Sequence, residues 1–352
     1  MMKNKIILVG AINEGNMPTC GETMKNQLFV KRFNELFDKV ITVDTLNWKK
    51  HPWVLLKLLY VLAVYGRRYD VILSACPISI NKTIRITNRL FRHVRVHYWV
   101  IGGNLHEYTA CGQVSLTELQ KLCGVYVEGN IMKIELEKQG LKNVRVIPNF
   151  KPITYHPQLV PKQPNEPYRF VFLSRVHPDK GIKEIIEATK QLNEMGLQDK
   201  FIVDLYGKIE PDYETEFRAV ISSLANVNYG GFLNLMSNSG YETLSTYDAM
   251  LFPTYWDGEG FPGIVIDANM SGVPIIASDW SMNREVIADG QTGFIIPTHD
   301  SKTLANKMGL FIDGQVDLFS MKQRCVAYIQ QFDYRNLISE DLMKQILDKN
   351  SL

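Results

Sequence analysis

A chain of 352 residues is longer than one hydrophobic core ordinarily serves, and it predicts two domains. Its 45% hydrophobic and 22% charged residues are the balance of a soluble globular protein. Five cysteines without a Cys-x-x-Cys pair exclude a zinc ribbon or a disulfide framework and fit a reducing compartment. The net charge of +2 conceals an asymmetry: residues 1–165 hold 23 Lys+Arg against 11 Asp+Glu, a net of +12, and residues 166–352 a net of −10. The N-terminal half is therefore expected to face something anionic, with nucleic acid, a membrane surface and a phosphate-bearing substrate all open.

The chain starts "MMKNKIILVG". The apolar run Ile6–Val9 is too short for the core of a signal peptide and predicts a first buried strand. No later stretch reaches the ~18 apolar residues of a membrane span. After that strand come a helix over "ETMKNQLFVKRFNELF" (22–37) and the apolar, cation-flanked segment "WKKHPWVLLKLLYVLAVYGRRYD". Strands follow at "YDVILSA" (69–75) and "VRVHYWVI" (94–101). Six prolines between Pro148 and Pro167 break the rhythm and mark a linker. Alternation resumes with "RFVFLS" (169–174), a helix over "KEIIEATKQLNEM", then "FIVDLYG", "YDAMLFP" and "VPIIAS". Strand–helix alternation means βαβ units and parallel sheets. The expected class is α/β, two doubly wound Rossmann-like domains facing across a cleft, where such sheets bind ligands.

The common nucleotide fingerprints are absent. "GAINEGNMPTCGE" follows the first strand where a dinucleotide fold has G-x-G-x-x-G, and no Walker A pattern occurs. There is no Asp-x-Asp to signal a metal-held diphosphate; "DGE" at Asp257–Glu259 is the nearest approach. "FLSRVHPDKGIKEIIEA" instead places Arg175 and Lys180 in the loop after a strand, with a helix expected from about Gly181. Two such cations can hold a diphosphate without metal, Arg as a fork and Lys as a point charge; they can equally be solvated loop cations. In "WDGEGFPGIVIDANMSGVPIIAS" a turn at Gly260, Phe261, Pro262 and Gly263 leads into a helix from about Ile264, with Glu259 before the turn and Asp267 one helical turn inside. Free backbone N–H groups at that helix start form an anion site, and paired carboxylates accept bonds from sugar hydroxyls. The alternative is an acidic helix start that favours the dipole.

These stretches together resemble glycosyltransferase family 4, the group 1 type of retaining enzymes with the GT-B fold. The resemblance is carried by "SRVHPDKGIKEIIEA", "VNYGGFL", "YDAMLFPTYWDGEGFPGIVIDANMSGVPIIAS" and "REVIADGQTGFIIP", and more loosely by "TCGETMKNQLFVKRF" and "VYVEGNIMKIELEKQGLKNVRVIPNF". It implies an acceptor-side domain over 1–150, a linker over 151–167, a nucleotide-sugar domain over 168–332, and a C-terminal helix over about 333–352 packing back on the first domain. It implies that Arg175, Lys180 and Glu259 are catalytic, the cations on the donor diphosphate and Glu259 on the donor sugar. Gly21 and Glu22 would lie near the diphosphate; Gly231, Phe232 and Leu233 would frame the base; Gly260–Gly263 and Asp267 would complete the donor site. Asp267 stands where the family has a second Glu, one methylene longer. Many members carry a His at the reaction centre where this chain has Gly102 and Gly103; His106 is either its substitute or a plain loop His.

The segment around Val54–Tyr65 has two readings: a helix lying on an anionic membrane between Lys49, Lys50, Lys57, Arg67 and Arg68, or a buried helix of the first sheet. The expected function is transfer of a hexose from a nucleotide diphosphate sugar, a UDP-sugar in first place, to a glycan or lipid-diphosphate-linked acceptor in bacterial surface polysaccharide synthesis. No cofactor, metal or nucleic-acid partner is expected, and the location is cytoplasmic, peripheral on the inner face of the membrane. A nucleotide-sugar epimerase or hydrolase, or an inactive donor-binding partner subunit, are the alternatives.

Overall fold

The computed structural model describes residues 2–348. The chain divides into two compact units, one built from residues up to Pro152 together with those from Phe332 onward, the other from Ile153–Gln331.

The first unit is a six-stranded sheet in the order β2-β1-β3-β4-β5-β6, from β1 (Met2–Gly10), β2 (Phe37–Asp44), β3 (Asp70–Ala75), β4 (Val96–Val100), β5 (Gly124–Val127) and β6 (Val144–Val146). All its pairings are parallel. Helices on both faces bury the strands, so Ile6–Val9 and Val71–Leu73 read as continuous apolar runs. The first three crossovers carry helices α1 (Gly21–Leu36), α2 (Trp53–Tyr65) and α3 (Pro77–Leu90). The predicted α1 loses its last residue: Phe37 is extended, pairs with Met2 and begins β2, its ring packed edge-on against Phe33 at 5.6 Å. On the face covered by α1, Phe29, Phe33 and Trp99 pack with Tyr334, Ile338, Met343 and Ile346. The segment after the second unit thus completes the core of the first.

Helix α2 is buried along one side and exposed along the other. Leu58, Val61 and Leu62 are buried, while Trp53, Leu56 and Tyr60 are 60–69% exposed and Val64 48%. Helix α3 adds exposed Ile78, Ile86 and Leu90. Among the described residues no helix is long and apolar enough to cross a membrane.

The second unit repeats the design. Strands β7 (Tyr168–Leu173), β8 (Phe201–Tyr206), β9 (Val227–Gly231), β10 (Ala249–Phe252), β11 (Ile275–Ser278) and β12 (Gly293–Ile296) form a parallel sheet in the order β12-β11-β10-β7-β8-β9. Phe170, Phe172, Phe201 and Leu205 anchor its core. In each sheet the winding direction reverses once, between β1 and β3 and between β7 and β10. At such a reversal successive connections leave in opposite directions and open a crevice beyond the carboxyl ends of the strands.

Candidate functional site

The crevice of the second unit lies beyond β7 and β10. Past β7 the chain runs through Ser174 and Arg175 into a 3-10 turn, Pro178–Lys180, and a helix begins at Ile182 rather than at Gly181. Gly181 is the hinge, with φ +81°, and a Cβ there would sit 2.3 Å from the carbonyl oxygen of Pro253 just past β10. Only glycine allows both that backbone conformation and that approach. The approach brings Lys180 to Glu259: the ammonium donates to Oε2 of the carboxylate, which also accepts the Thr254 hydroxyl at 3.2 Å. Both side chains are largely withdrawn from water, 7% and 14% exposed. Deleting one partner of so buried a pair strands the other charge, typically at a cost of about 3–5 kcal/mol.

Trp256 backs this pair. Its ring lies under the Arg175 guanidinium at 4.8 Å and the Lys180 ammonium at 5.5 Å, and His177 meets it edge-on at 5.0 Å. The Trp256 carbonyl accepts the Trp280 indole N–H at 2.8 Å, and the Ser281 hydroxyl holds the Glu259 carbonyl at 2.7 Å. Arg175 is half exposed, with Glu210 at 3.4 Å. The result is two cations at the sheet edge on one aromatic wall, an arrangement suited to a diphosphate.

Glu259 precedes the Gly260–Gly263 turn, in which Phe261 and Pro262 are buried. Pro262 caps the helix from outside rather than opening it: the helix is Gly263–Met270. Asp267 is 3% exposed on that helix, and its Oδ1 accepts the Tyr241 hydroxyl at 3.0 Å. Burial first, then Asp267, pushes the Tyr241 phenol well above its ordinary pKa, so the phenol stays a donor. Its ring stacks on Tyr155 at 5.5 Å. Phe232, at the end of β9, is 78% exposed between Gly231 and Leu233, a free aromatic face at the edge that carries the cations. The structure therefore gathers Arg175, Lys180, Glu259 and the turn at one place. No motif or spacing marks Tyr241 or Trp280 in the sequence. Trp256 lay in the quoted stretch, but no spacing marks a ring as the wall for two cations 76 and 81 residues upstream.

The remaining expected residues belong to the first unit. Gly21 opens α1 and is exposed; the next residue, Glu22, accepts the Cys76 thiol at 3.4 Å. Burial raises the Glu22 pKa against the lowering effect of that bond. Burial and the nearby Glu22 push the Cys76 thiol up to about 12. Gly102 and Gly103 follow β4, Gly102 at φ +95° with open space where a side chain would be. His106 lies on the short helix Leu105–Ala110; its Nδ1 is buried without a hydrogen-bond partner among the described residues. A buried ion pair, Lys25 to Glu128 at 2.6 Å, joins α1 to the end of β5, and the sequence reading missed it. Among the described residues no three His, Cys, Asp or Glu side chains are grouped as a metal site.

Two doubly wound parallel sheets of this kind define the GT-B fold, and solved structures bear this out. The chain superposes on an Anabaena protein solved in complex with UDP, Alr3699/HepE, with a TM-score of 0.70 over 98% of this chain and 99% of that one, at 15% identity. Residues 159–332 match the family of group 1 glycosyl transferases. Among curated proteins it is similar to the capsular polysaccharide biosynthesis glycosyltransferase CapM of Staphylococcus aureus, 26% identical over 43% of this chain and 38% of that protein. It is similar also to the putative colanic acid biosynthesis glycosyltransferase WcaL of Escherichia coli K12, 25% identical over 53% and 43%. The matches span about two fifths of the length of these relatives.

Proposed function

We propose that the protein is a retaining glycosyltransferase of surface polysaccharide synthesis, moving a sugar from a nucleotide diphosphate sugar, with UDP favoured, to a glycan or lipid-linked acceptor. The observation that carries this reading is the Lys180–Glu259 pair with Arg175, on the Trp256 wall at the winding reversal of the unit that matches the group 1 family. Arg175 and Lys180 would neutralise the departing diphosphate, and Phe232 would offer its face to the base. Glu259 would hold the donor sugar and keep Lys180 aimed. In the step itself the bond from sugar C1 to the phosphate oxygen breaks and its electron pair stays on the phosphate. The acceptor oxygen bonds C1 on the same face and its proton passes to a phosphate oxygen. The work of the site is electrostatic, with fixed charges waiting where charge develops. The relatives' names support a polysaccharide product, and the exposed apolar face of α2 among cations supports an acceptor carried at an anionic membrane on the cytoplasmic side.

A panel of nucleotide sugars screened by thermal unfolding identifies the donor, since a ligand of the native state raises stability. Lys180→Ala and Arg175→Ala should each weaken nucleotide diphosphate binding and slow transfer by about 2–4 kcal/mol of transition-state stabilisation. Glu259→Gln should lower turnover sharply while nucleotide still binds, and Asp267→Asn should weaken nucleotide binding itself. EDTA should leave the rate unchanged. Near-normal turnover in Glu259→Gln would remove that residue from the centre, and a product of inverted anomeric configuration would overturn retention.

A further inference from the structure

A cavity of about 500 Å³ lies in the second unit at the amino ends of β7 and β10, the end of the sheet away from Arg175 and Glu259. The linker lines it with Leu159 and Lys162, the helix Asn238–Ser245 with its last residue, and the helix Leu318–Tyr328 with Leu318, Phe319 and Lys322. Its cations are not equivalent. Lys162 donates to the Asp248 carboxylate at 2.8 Å and Arg169 to the Asp204 carboxylate at 3.1 Å. Lys322 is only 7% exposed and its ammonium donates to the Tyr247 carbonyl; among the described residues it has no carboxylate in ion-pair contact. Asp248 favours its charge from further off, but Asp248 Oδ2 already accepts the Lys162 ammonium and the Arg169 backbone N–H. Burial outweighs that help and lowers the Lys322 pKa.

A buried cation without a counter-ion is costly, and an anion entering the cavity relieves that cost. An ammonium has three donors, so the Tyr247 bond leaves others for a ligand. One unmatched positive charge calls for one negative charge, because a phosphate dianion would bring a surplus beside Asp248. Leu318 and Phe319 precede Lys322 by one helical turn and share its face, and with Leu159 they offer apolar surface to the rest of the ligand. Both helices of the wall also reach the helix Gly263–Met270, which follows the Glu259 turn. Tyr241, on Asn238–Ser245, donates to Asp267 at 3.0 Å, and Leu318–Tyr328 packs against Gly263–Met270 directly. We infer that the cavity is a regulatory site for a small monocarboxylate with an apolar body, and that its occupancy is transmitted through these two helices to Gly263–Met270. The regulatory meaning rests on the glycosyltransferase reading; the binding and its transmission do not.

The test uses the full chain and three probes, 3-phenylpropanoate, its neutral amide and 2-phenylethyl phosphate, with binding followed by calorimetry at neutral pH. Wild type should bind the carboxylate at least tenfold more tightly than either of the others. Lys322→Met, which keeps the length of the side chain and removes its charge, should lose that preference. Phe319→Ala should weaken the carboxylate and the amide alike, and it keeps the test open if Lys322→Met fails to fold. Lys302→Met, at an exposed position on the helix Ser301–Ile312, should change nothing. In wild type the carboxylate should slow amide hydrogen exchange in both wall helices and in Gly263–Met270, and in Lys322→Met it should not. The proposal is overturned if the amide or the phosphate binds as tightly as the carboxylate, if Lys322→Met keeps the preference, if Phe319→Ala binds both probes like wild type, if Lys302→Met removes binding, or if the protection stops short of Gly263–Met270. A separate titration with UDP keeps the two readings apart, because a wild type that ignores UDP would sink the donor assignment and leave the carboxylate result standing.

Discussion

Glu22 shows what a carboxyl does to stability when burial outweighs its hydrogen bond. Its pKa is raised, so the folded protein holds the proton more tightly than the unfolded chain does. Its contribution to folding is therefore fully present below the unfolded value of 4.5 and is lost as pH rises through the higher folded value. At neutral pH the ionised group is a net burden on the fold. Glu22→Gln, whose amide oxygen can still accept the Cys76 thiol, should melt at a higher temperature than wild type at pH 7–8, and the gap should narrow as pH falls toward 4.5. Thermal unfolding across that range checks it; a variant less stable than wild type at pH 7 would mean that Glu22's partners outweigh its burial. Glu259 differs because its cation is built in, and that partnership could not be read from the sequence. Lys180 and Glu259 are 79 residues apart, and only the close passage of Gly181 over Pro253 joins them.

Helix α2 is the element whose sequence said most and decided least. Its near-continuous apolar run fits either burial or a lipid surface, because a run without polar breaks has no visible face. Seven of the twelve described strands, β1, β3, β4, β7, β8, β10 and β11, were legible for the opposite reason: they are short, apolar runs bounded by turn residues, and parallel sheets bury them on both sides, whereas β2, β5, β6, β9 and β12 were not singled out. The end of α1 was obscured because no Gly or Pro stands anywhere between Gly21 and Pro52. Seen in the fold, the outward side of α2 sits in an unusual field. Between Asp44 and Glu107 the only acid is Asp70, and Arg95 holds it at 2.9 Å. Nine Lys and Arg side chains from Lys49 to Arg92 have, among the described residues, no ion pair. Cations near an anionic bilayer contribute roughly 1 kcal/mol each. The protein should sediment with vesicles containing phosphatidylglycerol and much less with neutral ones, and salt should release it. Charge reversal at Lys49, Lys50, Arg67 and Arg68 should abolish sedimentation without lowering the melting temperature. Equal binding to both vesicle types would rule out the electrostatic part.

At the scale of the molecule, the chain leaves the first unit after Pro152 and returns at Phe332. The returning segment is structural: Tyr334, Ile338, Met343 and Ile346 are 0–4% exposed within the core shared with α1. Each such side chain contributes roughly 1.5–3 kcal/mol, and a domain is stable by only about 5–15 kcal/mol. Truncation after Gln331 should therefore unfold the first unit and spare the second. Calorimetry should show one remaining transition, still raised by UDP. A truncated chain that keeps both transitions would show the returning segment to be dispensable.

That return also sets an order on biosynthesis. The second unit is one unbroken stretch of chain, so it can close as soon as it has left the ribosome. The first unit begins earlier and finishes later: its sheet can form, but the side of α1 that awaits Tyr334 and Ile346 stays uncovered until some 180 further residues have been made. At the roughly 5–20 residues per second of translation, that is a wait of about ten to forty seconds with an apolar face open to chaperones or to a nearby bilayer. The half of the protein made first is the half that matures last.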